Sequence, residues 1–149
     1  MRTVDTTITI HAPPEKVWDV IVDFSSCHEW NPFIRAAAGN AVVGSTLTVE
    51  IQPSGEKAMT HQPTVTIVRA NRHLQWLGKV SVPGVFAGRH EFLLDAEGSS
   101  TRLRHREYFT GVAVLFLGKT LSRTEEGFHA LNRALKERAE ISTGVRRVE

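Results

Sequence analysis

His90, His105 and Glu107 are the residues whose types and spacing best suit proton chemistry in this chain. Along the segment from Thr101 to Phe109, strand alternation sets Leu103, His105, Glu107 and Phe109 on one side and Arg102, Arg104 and Arg106 on the other. Unpaired guanidinium groups are very costly to bury, so the arginine side must face water and the histidine–glutamate side must face the interior. On the preceding strand, His90 shares a face with Phe92 and Leu94, opposite Arg89 and Glu91. Two imidazoles and a carboxyl thus converge in otherwise apolar surroundings. Burial raises a glutamate pKa, a nearby imidazolium lowers it, and a histidine titrates near neutrality. Such a group could act as a general acid–base pair, Glu107 with His105 or His90. The plainer reading, and the one placed first, is that these groups only hydrogen-bond one another, water or the polar end of a ligand, since perturbed titratable groups also serve structure. A metal site is the weakest option, because no H-x-x-x-H or zinc pattern is present, and no motif implies a cofactor.

The apolar residues around this trio define what it would act on. Phe92, Leu103, Phe109, Trp76, Leu121 and Phe128 are expected on the interior face, and Trp30 and Phe33 near its mouth or in the core. The loop Val82-Pro83-Gly84-Val85-Phe86 and the segment Val114-Leu115-Phe116-Leu117 lack the polar residues of a solvated connection. They form a gate for a greasy ligand, a contact surface for a homodimer, or a plug that closes one end of the core. Sparse polar anchors in an apolar lining are the composition of a small-molecule pocket.

The elements that must position these residues follow from local pattern. Thr3 to Ile10 alternates as a strand, and Ala12-Pro13-Pro14-Glu15 opens a helix that ends near Phe24-Ser25. The segment HEWNPFIR is expected to make one or two helical turns after Pro32. Strands are expected over Thr46 to Ile51, Thr64 to Ala70, His73 to Lys79, His90 to Asp95 and Thr101 to Phe109, separated by turns at Pro53-Ser54-Gly55-Glu56, Asn71-Arg72 and Glu97-Gly98-Ser99-Ser100. Val112 to Ala139 reads as one long helix with Leu117, Leu121, Phe128, Leu131 and Leu135 on one face, weakened near Gly118. Consecutive strands with short turns imply an antiparallel meander, and the helix stripe needs a sheet to cover it. The expectation is an α+β helix-grip fold: a curved antiparallel sheet of six to seven strands round a long C-terminal helix, with two short helices after the first strand. Residues 1–140 would form one domain and 141–149 a frayed tail.

The resemblance lies in four segments: ITIHAPPEKVWDVIVDF, EWNPF, the pair GRHEFLL and RHREYFTG, and GFHALNRALKERAE. In this order the chain resembles the START-like or SRPBCC superfamily, which includes birch-pollen-allergen-like proteins and the polyketide cyclase/dehydrase and lipid-transport group. The resemblance implies a deep cavity between helix and sheet. It implies no single reaction, since the superfamily spans carriers, cyclases, hydrolases and regulators.

Composition narrows the partners. Eighteen bases against sixteen acids do not make a nucleic-acid-binding surface. No stretch reaches the length of a membrane span, and the N-terminus lacks the apolar run of a signal peptide, so no stable membrane insertion and a cytoplasmic location are expected. The single cysteine, Cys27, excludes an internal disulfide and suits a small buried filler. The expected partner is a small hydrophobic or aromatic molecule. A cyclase or dehydratase is the alternative, and a protein-interaction module is a third reading.

Overall fold

Segments with period-two alternation become strands, most clearly the first, RTVDTTITI. The computed structural model describes residues 1–142. Strand β1 (Arg2–Ile10) lies at one edge of a five-stranded antiparallel sheet ordered β1-β8-β7-β6-β5, with β5 at Thr64–Arg69, β6 at His73–Lys79, β7 at Ala87–Glu97 and β8 at Ser100–Thr110. A second antiparallel sheet holds β2 (Ile34–Ala38), β3 (Thr48–Ile51) and β4 (Met59–His61). The two sheets join through a bridge between Thr46 and Thr64, flanked by the bond from Leu47 N–H to the Pro63 carbonyl (2.8 Å) and the bond from Val65 N–H to the Ser45 carbonyl (2.8 Å). The described residues therefore form eight strands in two linked sheets, where six to seven in one were expected.

The additional strands come from two segments with weak patterns. The helical turn α2 (Cys27–Trp30) precedes Pro32 rather than following it. Proline excludes the helical region for the residue before it, and Asn31 is extended at ψ 115°. The Asn31 side chain then accepts hydrogen bonds from the Phe33 and Ile34 N–H groups (3.0 and 2.8 Å), which turns the chain into β2. β4 is exposed at all three residues, so no apolar alternation marks it.

Helix α1 (Pro14–Val22) starts with a proline in its first turn and buries Val17, Trp18 and Ile21. The expected single C-terminal helix is divided. Val112–Phe116 is a 3-10 turn, Leu117 leaves helical geometry (φ −110°, ψ 17°), and α3 runs over Gly118–Ser142. Gly111 (φ 105°) makes this possible, because a Cβ there would collide with the Val85 carbonyl. The close approach lets Ala113 N–H reach the Val85 carbonyl (3.0 Å) and Val112 N–H the Gly84 carbonyl (3.1 Å). The apolar loop and the 3-10 turn are thereby tied together by main-chain bonds.

α3 buries Leu121, Phe128, Leu131, Leu135 and Ala139 against the sheet. Its Asn132 reaches both β8 and β1, bonding His105 Nδ1 and Thr6 Oγ1 at 2.8 Å each. The Phe33 ring lies directly on the α3 backbone at Gly127, where any Cβ would displace it. A large antiparallel sheet gripping a long C-terminal helix, with short helices early in the chain, is the helix-grip arrangement. Of the expected tail, 141–142 belong to α3 and 143–149 lie outside the described residues. No helix among the described residues is long and apolar enough to cross a membrane.

Candidate functional site

The alternation of β7 and β8 delivers His90, Phe92 and Leu94, and Leu103, His105 and Phe109, to the helix-facing side, all buried. Glu107 is paired in register with His90, and its side chain is 17% exposed. These strands form one wall of a cavity of ≈ 490 Å³. Its apolar lining includes Phe33, Trp76, Phe86, Phe109, Val49 and Leu117, and its polar interior is His90 and Glu107. Thr120 and Thr124 of α3 complete the wall, and Glu56, Lys57, Met59, His61, Gln62, Lys79 and Val80 surround the opening.

Among the twelve residues singled out as ligand contacts, six line this cavity: Phe33, Trp76, Phe86, His90, Glu107 and Phe109. The other six lie elsewhere. Leu103, His105 and Phe128 are fully buried behind it, and Phe92 and Leu121 belong to the packed core. Trp30 lies at the far side with α1, beside Phe24, Cys27 and Ile21, with its indole N–H buried and without a partner among the described residues. The reason is depth: alternation gives the face a side chain points to but not whether it meets space or another side chain. The rim residues from β4 and the segment before it went unrecognised because nothing in their pattern marks them. Asn132 and Thr6 also went unrecognised, although a polar residue inside each buried stripe was the available signal.

The interior polar groups form an ordered chain. Thr6 Oγ1 donates to the His105 main-chain carbonyl (2.8 Å), and Asn132 Nδ2 donates to Thr6 Oγ1 (2.8 Å). Asn132 Oδ1 then faces His105 Nδ1 (2.8 Å), and His105 Nε2 meets His90 Nε2 (2.7 Å). Rings stack above and below: His105 lies 3.8 Å from Phe128, centroid to centroid, and 4.4 Å from Phe92. His90 Nδ1 is buried without a hydrogen-bond partner among the described residues. Glu107 Oε1 stands 3.8 Å from it, too far for a hydrogen bond.

Desolvation governs the charges. It drives the His105 pKa down to about 3, against a smaller opposing pull from Asn132. Burial, helped by the neighbouring His105, holds His90 well below its usual value. Burial alone pushes Glu107 up to about 8. At neutral pH both imidazoles are neutral and Glu107 is a carboxylic acid, so His90 and Glu107 are not an ion pair. The direct Nε2–Nε2 contact also leaves no room for a metal between the rings. Among the described residues, no group of three or more His, Cys, Asp or Glu is arranged to hold a metal ion.

On the opposite face of the same strands, Glu91 is 2% exposed, bonded by Arg106, His73 (2.7 Å) and Gln75 (2.9 Å). The arginine row is therefore not uniformly solvated. Arg104 pairs with Asp5 near the surface (2.6 Å), whereas Arg106 covers a buried carboxylate. The two apolar segments differ along their length in exposure. Val80, Phe86 and Leu117 border the cavity, while Leu115 and Phe116 are 83% and 85% exposed.

Comparisons with known proteins agree with this architecture. Zhui aromatase/cyclase from Streptomyces sp. R1128 superposes with a TM-score of 0.77 at 18% identity, covering 95% of each chain. A START superfamily protein from Mycobacterium smegmatis gives 0.74 at 19%, covering 94% of this chain and 98% of that one. A protein from Mesorhizobium loti gives 0.75 at 19%, covering 95% and 98%. At these identities the likeness is one of fold, and no curated protein sequence matches the chain. The model of the family "Polyketide cyclase / dehydrase and lipid transport" matches residues 1–140, and with the helix-grip architecture around the cavity this places the chain in that family, within the START-like SRPBCC superfamily.

Proposed function

We propose that this protein binds a small hydrophobic or aromatic molecule in the cavity between α3 and the sheet. One observation carries the reading: a largely apolar chamber of ≈ 490 Å³ with His90 and Glu107 side by side in its lining. That volume and lining suit a ligand of drug-like size. Phe33, Trp76, Phe86 and Phe109 supply contact area, and the neutral pair orients a polar end. The test is a calorimetric and fluorescence screen of fatty acids, sterols and polyaromatic compounds against the full chain. A dissociation constant in the micromolar range or below for one class is expected; failure of every class overturns the reading.

A cyclase or dehydratase activity is the second reading, favoured by the pairing of a protonated carboxyl with an unpartnered imidazole nitrogen. In a β-hydroxy carbonyl substrate, His90 Nδ1 would take the proton α to the carbonyl. Glu107 would protonate the departing hydroxyl, with C–H and C–O bonds breaking, a C=C bond forming and water leaving. Glu107→Gln would then abolish turnover with little change in ligand affinity. Equal turnover by the variant would remove Glu107 from any such role.

A further inference from the structure

The interior hydrogen bonds have a direction, and the direction specifies a ligand. Thr6 has one hydroxyl proton and gives it to the His105 carbonyl, so it must accept from Asn132 Nδ2. Asn132 therefore turns its oxygen to His105 Nδ1, which must be the protonated nitrogen of that neutral ring. His105 Nε2 is then a bare acceptor, and its partner, His90 Nε2, must donate. His90 in turn has a bare lone pair at Nδ1. The series begins at a main-chain carbonyl and ends at that lone pair, with no outlet by which a proton could leave. It fixes polarity and does not conduct.

Facing the lone pair is Glu107, which has no hydrogen bond among the described residues and carries a proton at neutral pH. Its carboxyl has space because residue 88 is glycine: a Cβ there would stand 2.5 Å from Glu107 Oε2. The site thus offers one acceptor and one donor 3.8 Å apart. A carboxylate ligand brings only acceptors and leaves the nitrogen bare. A carbonyl satisfies the acid but not the nitrogen, and an ammonium satisfies the nitrogen but not the acid. A hydroxyl satisfies both with a single oxygen about 2.8 Å from each. A turn of the unbonded carboxyl admits it.

We propose that the cavity selects a neutral, hydroxyl-bearing apolar ligand, phenolic or alicyclic, whose hydroxyl donates to His90 Nδ1 and accepts from Glu107. This rests on the ligand-binding reading and goes beyond it by naming the anchoring group.

Three matched probes test it by titration calorimetry on the full chain at pH 6.5: naphthalene, 2-naphthol and 2-naphthoate. 2-Naphthol is expected to bind at least about tenfold tighter than naphthalene, the gain from one to two neutral hydrogen bonds, and tighter than 2-naphthoate. Glu107→Leu and Gly88→Ala, which remove or displace the carboxyl, should bring the preference for 2-naphthol over naphthalene down to about twofold. Circular dichroism checks each fold; should Glu107→Leu not fold, Gly88→Ala carries the comparison. Equal binding of naphthalene and 2-naphthol, a preference for 2-naphthoate, or an undiminished preference in the variants overturns the hydroxyl anchor and leaves cavity binding standing. Binding of none of the three, together with failure of the wider screen, overturns both.

Discussion

Glu91 and Glu107 occupy opposite faces of the same β7–β8 ribbon and reach opposite charge states. Glu91 is buried on the outer face. Burial pushes its carboxyl up, but the bonds from Arg106, His73 and Gln75 more than offset this, and its pKa ends below the ordinary value. Arg106 is itself held over the Tyr108 ring at 5.1 Å. Glu107 has the desolvation without the partners and ends at about 8. Burial alone therefore does not decide whether a carboxyl is charged; the guanidinium on one face and its absence on the other do. The outer glutamate is spent on structure. The inner one is left unsatisfied beside a cavity, where a ligand can complete it.

Breaking the outer arrangement should have the largest effect. Arg106→Ala leaves a carboxylate with 3% side-chain exposure and no guanidinium, and a loss of about 3–5 kcal/mol in urea unfolding at pH 7 is expected. Glu91→Gln should also destabilise, most above the ordinary carboxylate pKa and less as acid removes the charge. A lowered carboxyl contributes stability that disappears as pH falls. A loss below about 1 kcal/mol for Arg106→Ala would mean that the two faces are not different in kind.

The inner carboxyl has the reverse sign. A carboxyl raised from 4.5 to about 8 contributes stability that is complete below 4.5 and is lost as pH rises through 8. Glu107→Gln should leave stability near that of the parent at pH 5 and raise it at pH 9, on the order of 2 kcal/mol once water entering the cavity is allowed for. The other titratable groups around the cavity are His90 inside and Glu56, Lys57, His61 and Lys79 at the opening. They are the same in both proteins, so the difference isolates Glu107. Parallel stability curves from pH 5 to 9 would show that Glu107 is already solvated.

The contrast between faces was partly legible in the sequence. Strand parity is a local property, and it placed His90, Phe92, Leu103, His105 and Phe109 inward. It did not reveal that Arg106 covers a buried acid, because burial of Glu91 depends on Gln75 and His73 from the adjacent strand. The cavity rim was illegible for a similar reason: β4 is short and exposed, and its position follows from pairing with β3. Asn132 sits between Leu131 and Leu135 in a helix stripe that patterning treats as core, and only the packed helix shows that it meets His105 and Thr6. The break before Gly118 was foreseeable from glycine, but the 3-10 geometry ahead of it comes from main-chain bonds to the apolar loop.

Removing the keystone of the inner chain is a smaller perturbation. Asn132→Leu strands the His105 Nδ1–H and takes a donor from Thr6, and about 1–3 kcal/mol of destabilisation is expected in the same urea assay. Retention of full stability would mean that water replaces the amide, and the inner face would no longer be the dry counterpart of the outer one.

The smallest expected change in stability tests polarity most directly. Thr6→Val keeps the shape of the side chain and removes one hydroxyl, a cost of about 0.5–1.5 kcal/mol. Without that hydroxyl, nothing among the described residues prevents the Asn132 amide from presenting its nitrogen to His105. The two rings would then exchange roles, and His90 Nδ1 would carry a proton. In the parent protein, nitrogen NMR should show protons on His105 Nδ1 and His90 Nε2 only. In Thr6→Val a second population, with protons on His105 Nε2 and His90 Nδ1, should appear, and the preference for a hydroxyl ligand should weaken in proportion. A single unchanged tautomer pair in the variant would show that Thr6 does not set the direction of the chain, and the lone pair facing Glu107 would need another cause.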